Sequence, residues 1–135
     1  MTMEHWSLSV DDQGIAWVTL DVQGKSVNVL TRAVVDEMAT LADQLAHHDG
    51  ITAMALVCGK PQGFVYGADI NEFTDLKTEA DVGALLDHVH GLFQRFADLP
   101  FPTVAGIDGF ALGGGLELPL VCDRLVATAS PKTQL

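Results

Sequence analysis

The sequence predicts an α/β fold with crossover connections, and three observations carry that expectation. Two continuous apolar runs, ITAMALVCG (51–59) and TVAGI (103–107), have strand length and suit strands buried on both faces. Two longer segments repeat their apolar residues at spacings of three and four, the period of a helix with one buried face. Strand-like and helix-like segments alternate along the chain, the order that builds a sheet layered with helices.

The elements follow in order. WSLSVDD and GIAWVTLDV are β-like runs separated by Asp11-Asp12-Gln13-Gly14, which reads as a hairpin. The loop QGKSVNVL comes next. Thr31 then caps a helix whose apolar positions are Val34, Val35, Met38, Leu41, Ala42 and Leu45, stopped by Asp49-Gly50. The first buried strand follows, then the loop KPQGFVYGADINEF. Thr78-Glu79-Ala80-Asp81 has the form of a capping box, with Asp in the usual Glu or Gln place. It opens a second helix with an apolar face of Val82, Leu85, Leu86, Val89, Leu92, Phe93 and Phe96, ended by Pro100 and Pro102. After the strand TVAGI come a glycine-rich turn and LELPLVCDRLVA, read as a third helix. ATASPKTQL reads as a turn and the start of a further strand, so residues 1–135 are expected to be the first part of a larger domain. The sequence carries no internal repeat, low-complexity tract or linker.

Composition narrows the function. Seven basic residues stand against eighteen acidic ones, a net charge of −11. That argues against nucleic acid, whose phosphates are bound by Lys and Arg, and against an anionic membrane surface. No apolar run reaches spanning length, and MTMEHWSLSV lacks the basic and apolar regions of a signal peptide. Cys58 and Cys122 lie in apolar runs outside any CxxC pair, which suggests buried reduced thiols and a cytoplasmic location. No metal site is expected. His47 and His48 are adjacent, His88 and His90 are two apart, and neither spacing puts two rings on one helical face.

The stretch GFALGGGLELPL (109–120) raises the chemical question, because a lone acid, Glu117, follows three glycines. Neither common nucleotide loop fits. A Walker loop needs glycine five places before Gly24-Lys25-Ser26, and that place is Thr19; the dinucleotide pattern G-x-G-x-x-G is not met around Gly113 with the required downstream acid. A strand running through glycines into a helix has another use: free N–H groups of the first turn can hold a developing negative oxygen, with Glu117 beside it. Glu117 equally suits a plain capping role at a helix start. GFVYGADI also follows a buried strand and could offer a second N–H. Two donors are what an oxyanion hole for an acyl carbonyl requires.

These two loops together resemble the enoyl-CoA hydratase/isomerase (crotonase) superfamily. The resemblance runs over essentially the whole chain through GKSVNVL, FVYGADINEF and FPTVAGIDGFALGGGLELPLVCD. GADINEF and LGGGLEL…SPKTQL are most similar to the branch formed by the hydratase portions of multifunctional fatty-oxidation alpha subunits. The resemblance implies a crotonase-like α/β fold of the ClpP/crotonase class, a spiral of ββα units of which residues 1–135 are the N-terminal part. It implies hydration of a trans-2-enoyl-CoA to the 3-hydroxyacyl-CoA in fatty-acid β-oxidation. The thioester oxygen would be held by the N–H groups of Ala68 and Gly114, and Glu117 would be the first of two catalytic glutamates. Lys25, Ser26 and Val27 match a CoA-contacting stretch, and Asp69, Ile70 and Asn71 flank the oxyanion alanine. Acyl-CoA is then the substrate, with no further cofactor. The expected partners are copies of the chain in a trimer-based homo-oligomer, or the other chains of a multifunctional complex. The second glutamate is expected a few residues beyond Leu135. Pro119 departs from the family's usual small residue and removes an N–H early in the third helix. Two alternatives stay open: a Δ3-Δ2 enoyl-CoA isomerase using the same oxyanion hole, and a non-catalytic acyl-CoA-binding chain.

Overall fold

The computed structural model describes residues 2–135, with the side chains of Ile70 and Phe73 outside the described set. Its main sheet runs β1-β2-β3-β5-β7, and a second, two-stranded sheet pairs β4 with β6. The strands are β1 (Trp6–Val10), β2 (Ile15–Leu20), β3 (Ala53–Cys58), β4 (Gly63–Val65), β5 (Thr103–Ile107), β6 (Phe110–Ala111) and β7 (Arg124–Ala127). The helices are α1 (Arg32–His47), α2 (Glu79–Ala97) and α3 (Gly114–Leu120).

The hairpin is as expected. β1 pairs antiparallel with β2, and the Asp11 carboxylate accepts the Gln13 and Ile15 N–H groups across the turn. Every other pairing of the main sheet is parallel. β3 lies between β2 and β5, and none of its apolar residues is exposed, as suits a parallel strand covered on both faces. α1 buries all six of its expected apolar residues. Thr31 caps it by accepting the Val34 N–H at 3.1 Å, and the Trp6 indole N–H donates to the Val34 carbonyl at 3.0 Å, tying helix to hairpin.

The sequence shows no repeat, yet the architecture does. In β3–β4–α2 and again in β5–β6–α3, the first strand joins the main sheet, the second joins the small sheet and a helix closes the unit. This is the spiral of ββα units.

Four expectations need correction. The segment LELPLVCDRLVA is not one helix: α3 stops at Leu120 and Arg124–Ala127 is strand β7. Pro119 has no N–H to continue the helical ladder. Asp123 then locks the chain against β5, exchanging hydrogen bonds of 2.9 Å with the Thr103 N–H and hydroxyl. The loop KPQGFVYGADINEF contains β4 and the start of a 3-10 segment, Ile70–Asp75; a three-residue strand and a six-residue 3-10 segment leave almost no periodic signal. α2 buries only Leu92, Phe93 and Phe96, while Val82 and Leu86 are exposed. Both cysteines are half-buried rather than buried. Burial still pushes the Cys122 thiol up to about 11 and raises that of Cys58.

Candidate active site

The small sheet places the site. β4 and β6 are parallel neighbours, so the loops that leave their C-terminal ends emerge side by side. The first is Tyr66-Gly67-Ala68, and the second is Leu112-Gly113-Gly114. The Leu112 N–H donates to the Val65 carbonyl at 3.1 Å, fastening one loop to the root of the other.

The three glycines after Leu112 have different jobs. Gly113 precedes α3 with φ 53 and ψ −125, a conformation that side chains strongly disfavour. Gly115 packs so closely on β4 that a Cβ there would stand 2.2 Å from the Val65 carbonyl oxygen. Gly114 lies between them at the wall of a cavity of about 500 Å3. That is within the usual range for small-molecule sites.

Ala68 lines the same cavity. Its neighbours are tied to Leu30: the Leu30 N–H donates to the Gly67 carbonyl at 2.7 Å, and the Asp69 N–H donates to the Leu30 carbonyl at 3.2 Å. A parallel bridge of this kind turns the N–H of the middle residue, Ala68, away from Leu30. Among the described residues the Ala68 N–H has no hydrogen-bond partner. The Gly114 N–H has none either, because the bonds that close the first turn of α3 come from Gly115, Leu116 and Glu117. Ala68 is exposed and Gly114 half-buried at the start of a helix, so both N–H groups are free to bind solvent or a ligand.

Glu117 stands in the first turn of α3 and lines the same cavity. It is exposed and, among the described residues, makes no side-chain hydrogen bond or ion pair. Much of the rest of the wall is apolar: Leu30 before α1, Val35 on α1, and Leu85, Val89 and Phe93 on α2. Two donors, an unengaged carboxylate and an apolar slot therefore share one space.

Other expected contacts divide. Asp69 lines the cavity, accepts the Asn71 N–H at 3.0 Å and pairs with the Lys25 ammonium at 3.4 Å. Lys25 thus reaches the edge of the site through Asp69. Ser26, Val27 and Asn71 are not part of the cavity wall. The Ile70 side chain lies outside the described residues.

Two residues were not singled out from the sequence. Asn28 is buried, and its side chain accepts the Val22 N–H at 2.9 Å and donates to the Leu20 carbonyl at 2.9 Å, the Phe64 carbonyl at 3.2 Å and the Cys58 thiol at 2.8 Å. It joins the end of β2 to β4, the strand that leads to Ala68. An amide inside the apolar run VNVL was the available signal. Glu72 lines the cavity and accepts the N–H of Arg32, the first residue of α1; only spatial proximity reveals it. Among the described residues no three His, Cys, Asp or Glu side chains cluster to hold a metal ion, and no helix is long and apolar enough to cross a membrane.

Comparison with known proteins matches residues 11–135 to the family described as enoyl-CoA hydratase/isomerase. The fatty acid oxidation complex subunit alpha of Vibrio campbellii is 43% identical over 130 residues, which are 96% of this chain and 18% of that protein. An enoyl-CoA hydratase/carnithine racemase from Magnetospirillum magneticum superposes with a TM-score of 0.85 at 26% identity, over 98% of this chain and 48% of that one. An enoyl-CoA hydratase from Bacillus anthracis superposes with a TM-score of 0.81 at 26% identity, over 92% and 47%. The chain thus spans under a fifth of the curated relative and about half of each solved structure.

Proposed function

Because the chain belongs to the enoyl-CoA hydratase/isomerase family, we propose that its cavity binds the thioester of an acyl-CoA and supports hydration of a trans-2-enoyl-CoA. The observation that supports this reading best is the pair of unpartnered N–H groups, Ala68 and Gly114, on one cavity with Glu117.

The chemistry follows from charge flow. Water adds at C3 of the conjugated thioester and electrons move onto the thioester oxygen. Two N–H donors directed at that oxygen would stabilise the enolate more than the neutral carbonyl. Losing one such donor typically costs about 2.7–4 kcal/mol of barrier. Glu117 takes the proton from the attacking water, a general-base contribution of roughly a hundred- to ten-thousandfold. The proton that C2 then takes up is assigned, by the family resemblance, to a second glutamate past Leu135. In this reading residues 1–135 form the N-terminal part of a hydratase domain. Lys25 serves the anionic part of CoA, with Ser26, Val27, Ile70 and Asn71 nearby in sequence to the same contacts. A trimer-based or multifunctional assembly and a cytoplasmic location complete the proposal.

Loss of conjugated-thioester absorbance tests it, on residues 1–135 and on a chain extended to the length of the solved relatives. The expected result is that Glu117→Gln lowers turnover by about two to four orders of magnitude while acyl-CoA affinity stays within a few fold. Wild-type turnover by the Gln variant would remove Glu117 from the mechanism. The isomerase reading is supported by the other half of the family's description. Conversion of a 3-enoyl thioester without water uptake at the double bond would favour it.

A further inference from the structure

We infer that Glu72 is a positioning residue for the Ala68 N–H: its carboxylate pins the segment after Ala68 to the first residue of α1. This rests on the reading of Ala68 as a thioester donor.

Segment 28–32 acts as a rail along segment 66–72. The Tyr66 N–H donates to the Asn28 carbonyl at 2.8 Å, and Leu30 is bonded on either side of Ala68, to Gly67 and Asp69. The last rung is different in kind. The Arg32 N–H is bonded by the side chain of Glu72, four residues past Ala68, rather than by backbone. The loop is thereby held before and after Ala68. Among the described residues, the other ties just beyond Ala68 are the Asp69 bond at 3.2 Å and the Lys25–Asp69 pair at 3.4 Å, in which Lys25 is exposed and Asp69 largely buried. The bond also satisfies a donor of α1 that its own cap leaves open, since Thr31 takes the Val34 N–H and the first turn of α1 has no acid. One carboxylate therefore couples α1, whose apolar face is fully buried, to the loop that must keep a donor in place. A shift of about 1 Å in such a group can lower a rate about a hundredfold.

What matters in this inference is reach, not charge. Gln keeps both length and an acceptor oxygen; Asp keeps the charge but is one methylene shorter. The experiment follows the Ala68 and Gly114 amide signals by NMR while butyryl-CoA, a saturated thioester, is added. In the wild type both signals should move. In Glu72→Ala and Glu72→Asp the Ala68 response at saturation should be lost, with the Gly114 response retained. Glu72→Gln should restore it. If neither signal moves in the wild type, the thioester reading itself falls and this inference with it. If both move in the wild type and equally in the Ala and Asp variants, only the role of Glu72 falls. Should Glu72→Ala fail to fold, the Asp and Gln pair still decides: a response kept by Asp and lost by Gln overturns the inference, because charge rather than reach would then be responsible.

Discussion

α1 and α2 look alike in sequence and differ in what covers them. Both open at a threonine cap and carry apolar residues at three-four spacing. α1 buries its whole apolar face, with Met38 and Leu41 fully buried. α2 buries its apolar face only in its C-terminal half, at Leu92, Phe93 and Phe96; Val82 and Leu86 are 41% and 49% exposed, and Leu85 and Val89 line the cavity. Periodicity reports which face of a helix is apolar. It does not report whether protein or ligand fills the space opposite. In this domain the half-covered helix is the wall of the candidate site.

The sharpest test of that contrast is stability. Leu41→Ala should cost about 2–5 kcal/mol, the range for deleting a buried leucine. Leu86→Ala, on the open stretch of α2, should stay within about 0.5 kcal/mol. Urea unfolding of both variants measures the difference. Equal losses would mean that the face of α2 is covered in solution as fully as that of α1.

A second test acts on the cavity rather than on the fold. Val89→Phe should narrow the slot from a position at the edge of the core. Binding of a long-chain acyl-CoA should weaken by roughly tenfold or more relative to a short one, as expected when a pocket loses room for a few methylenes. Affinities measured over a series of chain lengths would show it. A uniform loss at every length would place the acyl chain elsewhere.

The two caps give a smaller effect. Thr31→Ala and Thr78→Ala each remove one side-chain bond to the third helical residue, at Val34 and Asp81. Each should cost about 0.5–2 kcal/mol. The Thr31 change should sit at the upper end, since that threonine is buried and lies beside the rail that carries Ala68. Comparable urea midpoints for the two variants would show that burial adds nothing to the cap.

The sequence revealed most where one physical cause acts locally. The hairpin turn, both caps and the apolar strands β3 and β5 follow from neighbouring residues alone. So did the suspicion attached to GGGLE, because glycine before a lone acid is a local anomaly. β4 and β6 were hidden because two or three residues cannot establish a period, and those strands form only by pairing with each other. β7 was hidden behind helical spacing. The Asp123–Thr103 exchange that redirects the chain joins residues 20 apart. Asn28 and Glu72 escaped for the same reason. Their partners are 6 to 40 positions away, and nothing in adjacent sequence marks the contact.

The smallest expected effect concerns pH and separates the two helix starts once more. α2 carries Glu79 and Asp81 in its first turn, whereas α1 has no acid there. The Asp81 carboxylate accepts the Lys77 N–H at 3.1 Å and the Thr78 N–H at 3.2 Å. The Lys77 bond, and after it the bonds with Thr78, hold Asp81 below its ordinary value of 3.8. A carboxyl group lowered by folding favours the folded state above its unfolded value. That contribution fades as pH falls through the lower folded value. The capping box should therefore be intact at neutral pH and weaken only below pH 3.8. An NMR titration of the Lys77 and Thr78 amides should show an inflection below that value, and Asp81→Asn should abolish it. An inflection at or above 3.8 would mean that the box does not hold the carboxylate in solution, and that α2 starts with Thr78 alone, whereas α1 has Thr31 and the Glu72 carboxylate at its start.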